Sequence, residues 1–187
     1  VVITLTPTDA TSGVANTYYK IWLSTATEPT SYTTGTTVSI SSDGKWYVKY
    51  YSVDNATNAE GAHTVEVWLD TVAPTTTDNA PTGWQTSKPV VVTLTATDAT
   101  SGVANTYYKK WLTTGEEPSY TSGTTVSISS DGMWYVKYYS VDTATNAEGA
   151  HTVEVWVDTT APTTTDNAPA GWQTTSPVVI TLTPTDA

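Results

Sequence analysis

Valine, leucine and alanine alternate with threonine along Val90–Asp98 (VVVTLTATD). A period of two is the mark of a strand with one buried face. The same reading runs through the neighbouring residues. Ala73–Asp78 reads as an extended, Pro-containing segment, and Asn79–Pro89 as a loop holding Gly83-Trp84. Ala99–Val103 carries Ser-Gly and reads as a turn. A Tyr-rich strand is expected at Thr106–Thr113, an irregular connection with Pro118 at Gly115–Gly123, and a short strand at Thr124–Ser129. After the tight turn Ser130-Asp131-Gly132 come a long aromatic strand, Met133–Asp142, a loop, Thr143–Gly149, and a last strand, Ala150–Asp158. No stretch has a helical period. About seven short strands in under ninety residues predict an all-β fold of the Ig-like β-sandwich type.

The pattern recurs. VVITLTPTDA at 1–10 returns unchanged at 178–187 and, at two positions altered, as VVVTLTATDA at 90–99. TTVSISSDGKWYVKYYSVD (36–54) returns as TTVSISSDGMWYVKYYSVD (124–142). A period of about 88 residues marks a tandem array of small domains. The expected units are residues 1–71, an Ig-like repeat without its first strand, 72–159, a complete repeat, and 160–187, the start of a third. Residues 159–177 repeat the segment that unit 1–71 lacks. Two arrangements follow: a window on a continuous chain, or a fibre in which the tail of one subunit completes the next by strand addition. The second copy of the ten-residue strand, 178–187, is redundant in such a fibre and favours the continuous chain.

Composition narrows the function classes. Thr makes up roughly a quarter of the 187 residues, and Cys, Phe and Arg are missing. A β-branched bias suits strands. A net charge of −11 argues against nucleic acid, because nothing could neutralise phosphates. It suits a surface that attracts cations. Without Cys there is neither a disulfide framework nor a thiolate metal site. No membrane-spanning run is visible, so no membrane contact is expected within this segment.

GWQTSKPVVVTLTATDATSGVANTYYK, a strand ending SVD, TNAEG and the terminal VDTTAPTTTD together resemble the bacterial Ig-like (Big-type) tandem repeats of large surface proteins and adhesins. The resemblance spans essentially the whole chain. Thr57 and Thr145 stand where such repeats often have Gly. WLSTATEPT (22–30) and WLTTGEEPS (111–119) replace a short Asp-Gly hairpin. The resemblance implies an extracellular structural or adhesive module on a prokaryotic cell surface, and not an enzyme.

Carboxylates are the first candidate chemistry. In Ig strand order the turns after 90–98 and 133–142 share the end at which the chain enters. Asp70, Asp98, Asp142, Asn146 and Glu148 are therefore expected to converge between the first two repeats. Ca²⁺ takes six to eight oxygen ligands and would relieve the repulsion among such groups; related adhesin repeats are similar in using linker calcium. The other repeats offer Asp9, Asp54, Asn58 and Glu60, and Asp158 with Asp186. The competing reading is local: Asp at a strand end commonly caps its own turn. Catalysis finds little support, since His63 and His151 lack a nucleophile at a recognisable spacing.

Aromatic residues are the second. With Trp134, Val136, Tyr138 and Ser140 inward, the outward positions are Tyr107, Trp111, Tyr135, Tyr139 and Trp156, with Lys109, Lys137 and Glu154 among them. The first repeat reproduces the set as Tyr18, Trp22, Tyr47, Tyr51 and Trp68. Such a face could pack on neighbouring copies of the same protein or adjoining repeats, stack on surface glycans as a carbohydrate-binding module does, or only pair across strands. Identical faces along an array favour lateral assembly. The reading from sequence is a stalk, spacer or self-associating filament, with glycan binding as the alternative.

Overall fold

The computed structural model describes residues 1–186. Its strands are β1 (Val2–Thr4), β2 (Val14–Leu23), β3 (Thr33–Thr34), β4 (Thr37–Ser39), β5 (Gly44–Asp54) and β6 (His63–Leu69). They continue as β7 (Thr75–Asp78), β8 (Trp84–Gln85), β9 (Val90–Thr97), β10 (Val103–Leu112), β11 (Thr121–Ser122) and β12 (Thr125–Ile128). The last four are β13 (Gly132–Asp142), β14 (His151–Val157), β15 (Thr163–Asp166) and β16 (Leu182–Thr185). No helix occurs among the described residues, and the fold is all-β, as the alternation predicts.

Residues 75–157 form a β-sandwich. One sheet has the order β12-β9-β7 and the other β11-β10-β13-β14-β8. Between them lies a core of Val92, Leu94, Val126, Ile128, Val136, Tyr138, Val155 and Val157, with Trp134, Tyr108, Val153 and Ala80 packed on it. Val90, Val92 and Leu94 of β9 and Trp134, Val136 and Tyr138 of β13, every second residue, enter or pack on this core, so the period of two in the sequence is the period of burial. Residues 1–69 repeat the plan with β1-β4 facing β3-β2-β5-β6. Their core is smaller: Leu5, Val38, Ile40 and Val48, with Ile3, Tyr19, Ile21, Trp46, Tyr50, Val67 and Leu69 partly buried around it.

The described chain forms two compact units. The first is Val1–Thr76 with Ala96–Thr106 and Tyr139–Gly149; it holds the smaller core and the Asp ends of β9 and β13. The second is Thr77–Thr95, Tyr107–Tyr138 and the chain from Ala150, and it holds the larger core.

Two local features differ from the sequence reading. β10 begins at Val103, three residues before the expected Thr106, because the Asp98 carboxylate closes the preceding turn tightly on the Thr100 and Gly102 N–H groups. The loop Asn79–Pro89 contains β8, which pairs in parallel with β14 through Trp84↔Trp156 and Gln85↔Val157. Two residues carry no period, and their partner is distant in sequence. Thr57 and Thr145 have φ of 69° and 73°. This is the left-handed region, costly for a β-branched residue, and it explains physically why Gly would suit these two positions.

Candidate functional site

Three sites can be built from these elements. The first is the carboxylate group. Asp70 follows β6, Asp98 follows β9, and Asp142 ends β13. One oxygen from each lies within 4.8 Å of the others. All three belong to the first compact unit. Each carboxylate also caps backbone. Asp70 accepts from Val72 N–H (3.1 Å) and Ser101 N–H (2.9 Å), and Asp98 from Thr100 (3.1 Å) and Gly102 (2.7 Å). Asp142 is buried and takes both Asn146 N–H (2.7 Å) and Asn146 Nδ2 (2.8 Å). The same Nδ2 donates to the Asp70 carbonyl at 3.1 Å, fixing Asn146 beside the group. Hydrogen bonding from Ser101, then from Val72, outweighs partial desolvation and holds the Asp70 carboxyl below the usual carboxylate range.

Glu148 was expected in this group and is not a member. Its carboxylate accepts Ser140 N–H (2.7 Å), Thr76 N–H (3.0 Å) and the Thr76 hydroxyl. Thr76 in turn meets Ser140 Oγ at 2.6 Å, and Ser140 meets Thr106 Oγ1 at 2.8 Å. Glu148 therefore pins β7 to β13. Sequence reasoning assigned Glu148 to a loop site because the bridging partner, Thr76, is 72 residues away. Asp78 adds a second pin by accepting from the Tyr138 hydroxyl.

The other predicted ligands stay local. Asp9 caps Thr11, Ser12 and Gly13 N–H, which, led by Thr11, lower its pKa. Asp54 binds Asn58 through its side chain and backbone, and these bonds likewise lower its pKa. Glu60 accepts Ser52 N–H (2.7 Å) and faces His63 Nε2 (3.1 Å). Desolvation raises the Glu60 pKa, but His63 and Ser52 together outweigh it and leave it lowered. Asp158 caps Thr160 N–H at 3.0 Å. Asp186 is exposed beyond β16.

The second site is the aromatic face, which proves more covered than its composition suggests. Tyr18, Trp22, Tyr47, Tyr51, Tyr107, Trp111, Tyr135, Tyr139 and Trp156 are half-buried, and only Trp68 of the set is largely exposed. The residues pair across strands: Tyr18 with Tyr51 (5.2 Å), Trp22 with Tyr47 (5.4 Å) and Trp111 with Tyr135 (5.4 Å). Part of the cover comes from the connections between β2 and β3 and between β10 and β11. Glu28 bridges Lys20 (2.6 Å) and Lys49 (3.0 Å), while Tyr32 stands edge-on to Tyr51 and beneath Lys20. Glu117 does the same for Lys109 (2.7 Å) and Lys137 (3.1 Å), with Tyr120 beneath Lys109.

The third site is a groove in the first sandwich, about 700 Å³ in volume. β1, β5 and the residues around Glu60 line it, including Leu5, Pro7, Tyr50, Ser52, Asp54 and Val65.

No family model matches the chain, and no curated protein matches it. Among solved structures it is similar to one described as "Structures of Clostridium thermocellum CbhA fibronectin(III)-like modules", at 14% identity and a TM-score of 0.38, covering 81% of this chain and 82% of that one. The β-sandwich assignment rests on the strand order and the two cores described above.

Proposed function

We propose that the chain is a structural and adhesive repeat module of an extracellular prokaryotic surface or secreted protein, acting as a stalk, spacer or self-associating filament component and not as an enzyme. One observation carries this reading. Two sandwiches of nearly the same sequence repeat the same cross-strand aromatic ladder and the same Glu–Lys₂ clasp over it. Repetition of one surface along a chain multiplies weak contacts. The Big-type resemblance supports the same reading.

In this reading Ca²⁺ stiffens the turns at Asp70, Asp98 and Asp142. Three carboxylates this close repel one another, and an all-oxygen donor set with the Asn146 side chain adjacent fits a hard cation. The glycan-binding alternative draws on one place, where the tilted rings of Trp84 and Trp156 lie 5.6 Å apart beside a cleft lined by Asp78, Pro81 and Glu154. Electron microscopy and light scattering over a concentration series, beside a sugar-binding screen, separate the two. Ordered fibres support the structural reading; a saturable sugar on an unassembled chain overturns it.

A further inference from the structure

TTVSISSDGKWYVKYYSVD (36–54) and TTVSISSDGMWYVKYYSVD (124–142) differ at a single position, Lys45 against Met133. Each of these residues faces a tryptophan across the strands, Lys45 opposite Trp68 and Met133 opposite Trp156. In both repeats a glutamate two residues before the tryptophan accepts its indole N–H, Glu66 at 3.2 Å and Glu154 at 3.0 Å. In the first sandwich Lys45 Nζ lies 4.5 Å from the centre of the Trp68 ring. The electron-rich face of an indole attracts an ammonium placed there. In the second sandwich Met133 supplies no charge, and Trp156 has a second indole beside it, that of Trp84.

Next to Trp156 lies a cleft of about 310 Å³, at the small end of the range for ligand pockets. Ala80, Pro81 and Val153 give it apolar walls, and its charged residues are Asp78 and Glu154. Among the described residues no lysine lines it. The loop that forms one wall is held by its own hydrogen bonds. Asp78 accepts Ala80 N–H at 2.8 Å, and Gln85 Nε2 donates to the Thr82 and Gly83 carbonyls at 3.2 and 3.1 Å. A site fixed in advance has less freedom to lose on binding. The chain's own cations are engaged elsewhere. Four of the seven lysines are tied to Glu28 and Glu117, and Lys88, Lys110 and Lys45 to Asp131, the Ser127 carbonyl and Trp68.

We propose that this cleft binds a quaternary ammonium group, of the trimethylammonium kind that choline carries. The Trp156 indole meets the cation with Trp84 alongside, Glu154 and Asp78 balance its charge, and Ala80, Pro81 and Val153 take its methyl groups. A primary ammonium would turn N–H donors toward these apolar walls, whereas a fully methylated one has no donor to satisfy. The requirement for charge separates this site from sugar stacking at the same tryptophans. It lies within one sandwich and stands whether or not the chain assembles.

Titration of the 187-residue chain with choline chloride, followed by calorimetry and by the indole N–H resonances of Trp84 and Trp156, tests this. The control is dimethylbutanol, the neutral isostere in which carbon replaces the choline nitrogen. Choline is expected to saturate, to shift both resonances and to bind about tenfold tighter than the isostere. Met133→Lys recreates the pair that the first sandwich accommodates. It places a cation on Trp156 and should weaken choline binding by about tenfold, with the melting curve unchanged. Glu154→Gln keeps an acceptor for the Trp156 N–H, removes the charge and should weaken binding by about threefold. A parallel titration with phosphocholine separates two sources of the group: binding of choline alone assigns a free amine, and binding of both assigns a headgroup. Equal binding of choline and its isostere overturns the proposal and leaves the cleft to neutral ligands. Absence of saturable binding overturns it outright, as does full affinity in Met133→Lys.

Discussion

Glu148 and Glu60 occupy equivalent positions in nearly identical sequence, and the structure gives them unequal work. Glu148 accepts two backbone N–H groups, from Ser140 and Thr76, together with the Thr76 hydroxyl. Glu60 accepts one, from Ser52, and its other oxygen faces His63. Glutamine offers one carbonyl oxygen and one amide that can only donate. In Glu148→Gln that amide must oppose an N–H or hydroxyl donor. A hydrogen bond to a charged acceptor contributes about 1.5–3 kcal/mol, and stranding its donor adds a desolvation cost. The expected loss is about 3 kcal/mol, which in a domain this size lowers Tm by ~12–24 °C. Glu60→Gln keeps its carbonyl on Ser52 and should lose about 1 kcal/mol or less. Scanning calorimetry of both variants, at a concentration where the chain is monomeric, reads the difference directly. Equal shifts would refute the reasoning, because only the docking of β7 distinguishes the two sites.

Three further predictions follow from the turns. Asp9, Asp54 and Asp70 have carboxyls held below the ordinary value near 3.9. Their contribution to stability is complete above that value and is lost as pH falls through the folded values. Denaturation midpoints should therefore be flat from about pH 5 to 7 and fall below about pH 4; Asp54→Asn should shallow that fall, and an unchanged slope would count against the capping role. Thr145→Gly relieves a left-handed β-branched residue at about 1–2 kcal/mol and costs about 0.5–1 kcal/mol in unfolded-chain entropy. A net gain of up to about 1 kcal/mol in urea denaturation is expected; destabilisation would show that the threonine makes a compensating contact. Removing divalent cations with EDTA should lower Tm relative to excess Ca²⁺, by an amount equivalent to about 2.7 kcal/mol at a hundredfold excess over Kd. Asp142→Asn should abolish the difference, and no calcium response would leave these carboxylates as turn caps alone.

The alternation of apolar and polar residues made most of the strands legible, because burial in β9 and β13 follows the same period as the sequence. It could not locate β8, whose two residues are defined by a parallel partner 72 residues on. The candidate sites divide along the same line. Asp70, Asp98 and Asp142 were brought together correctly by Ig strand order alone, since each sits at the end of an element whose place the topology dictates. Glu148 was not, because its role depends on a side chain of β7 that no local pattern connects to it. The aromatic positions were assigned to the outward face, yet their exposure was overstated. Lys20 and Lys109 tie down the connections at Glu28 and Glu117, whose length and lack of period hid their packing over the sheet. Most telling, KYYSVD occurs in both β5 and β13 and is buried to different degrees. Burial at Ser52 or Ser140 is thus not a property of the hexapeptide. It belongs to whichever strand lies across it, and over Ser140 that strand is β7, through Thr76.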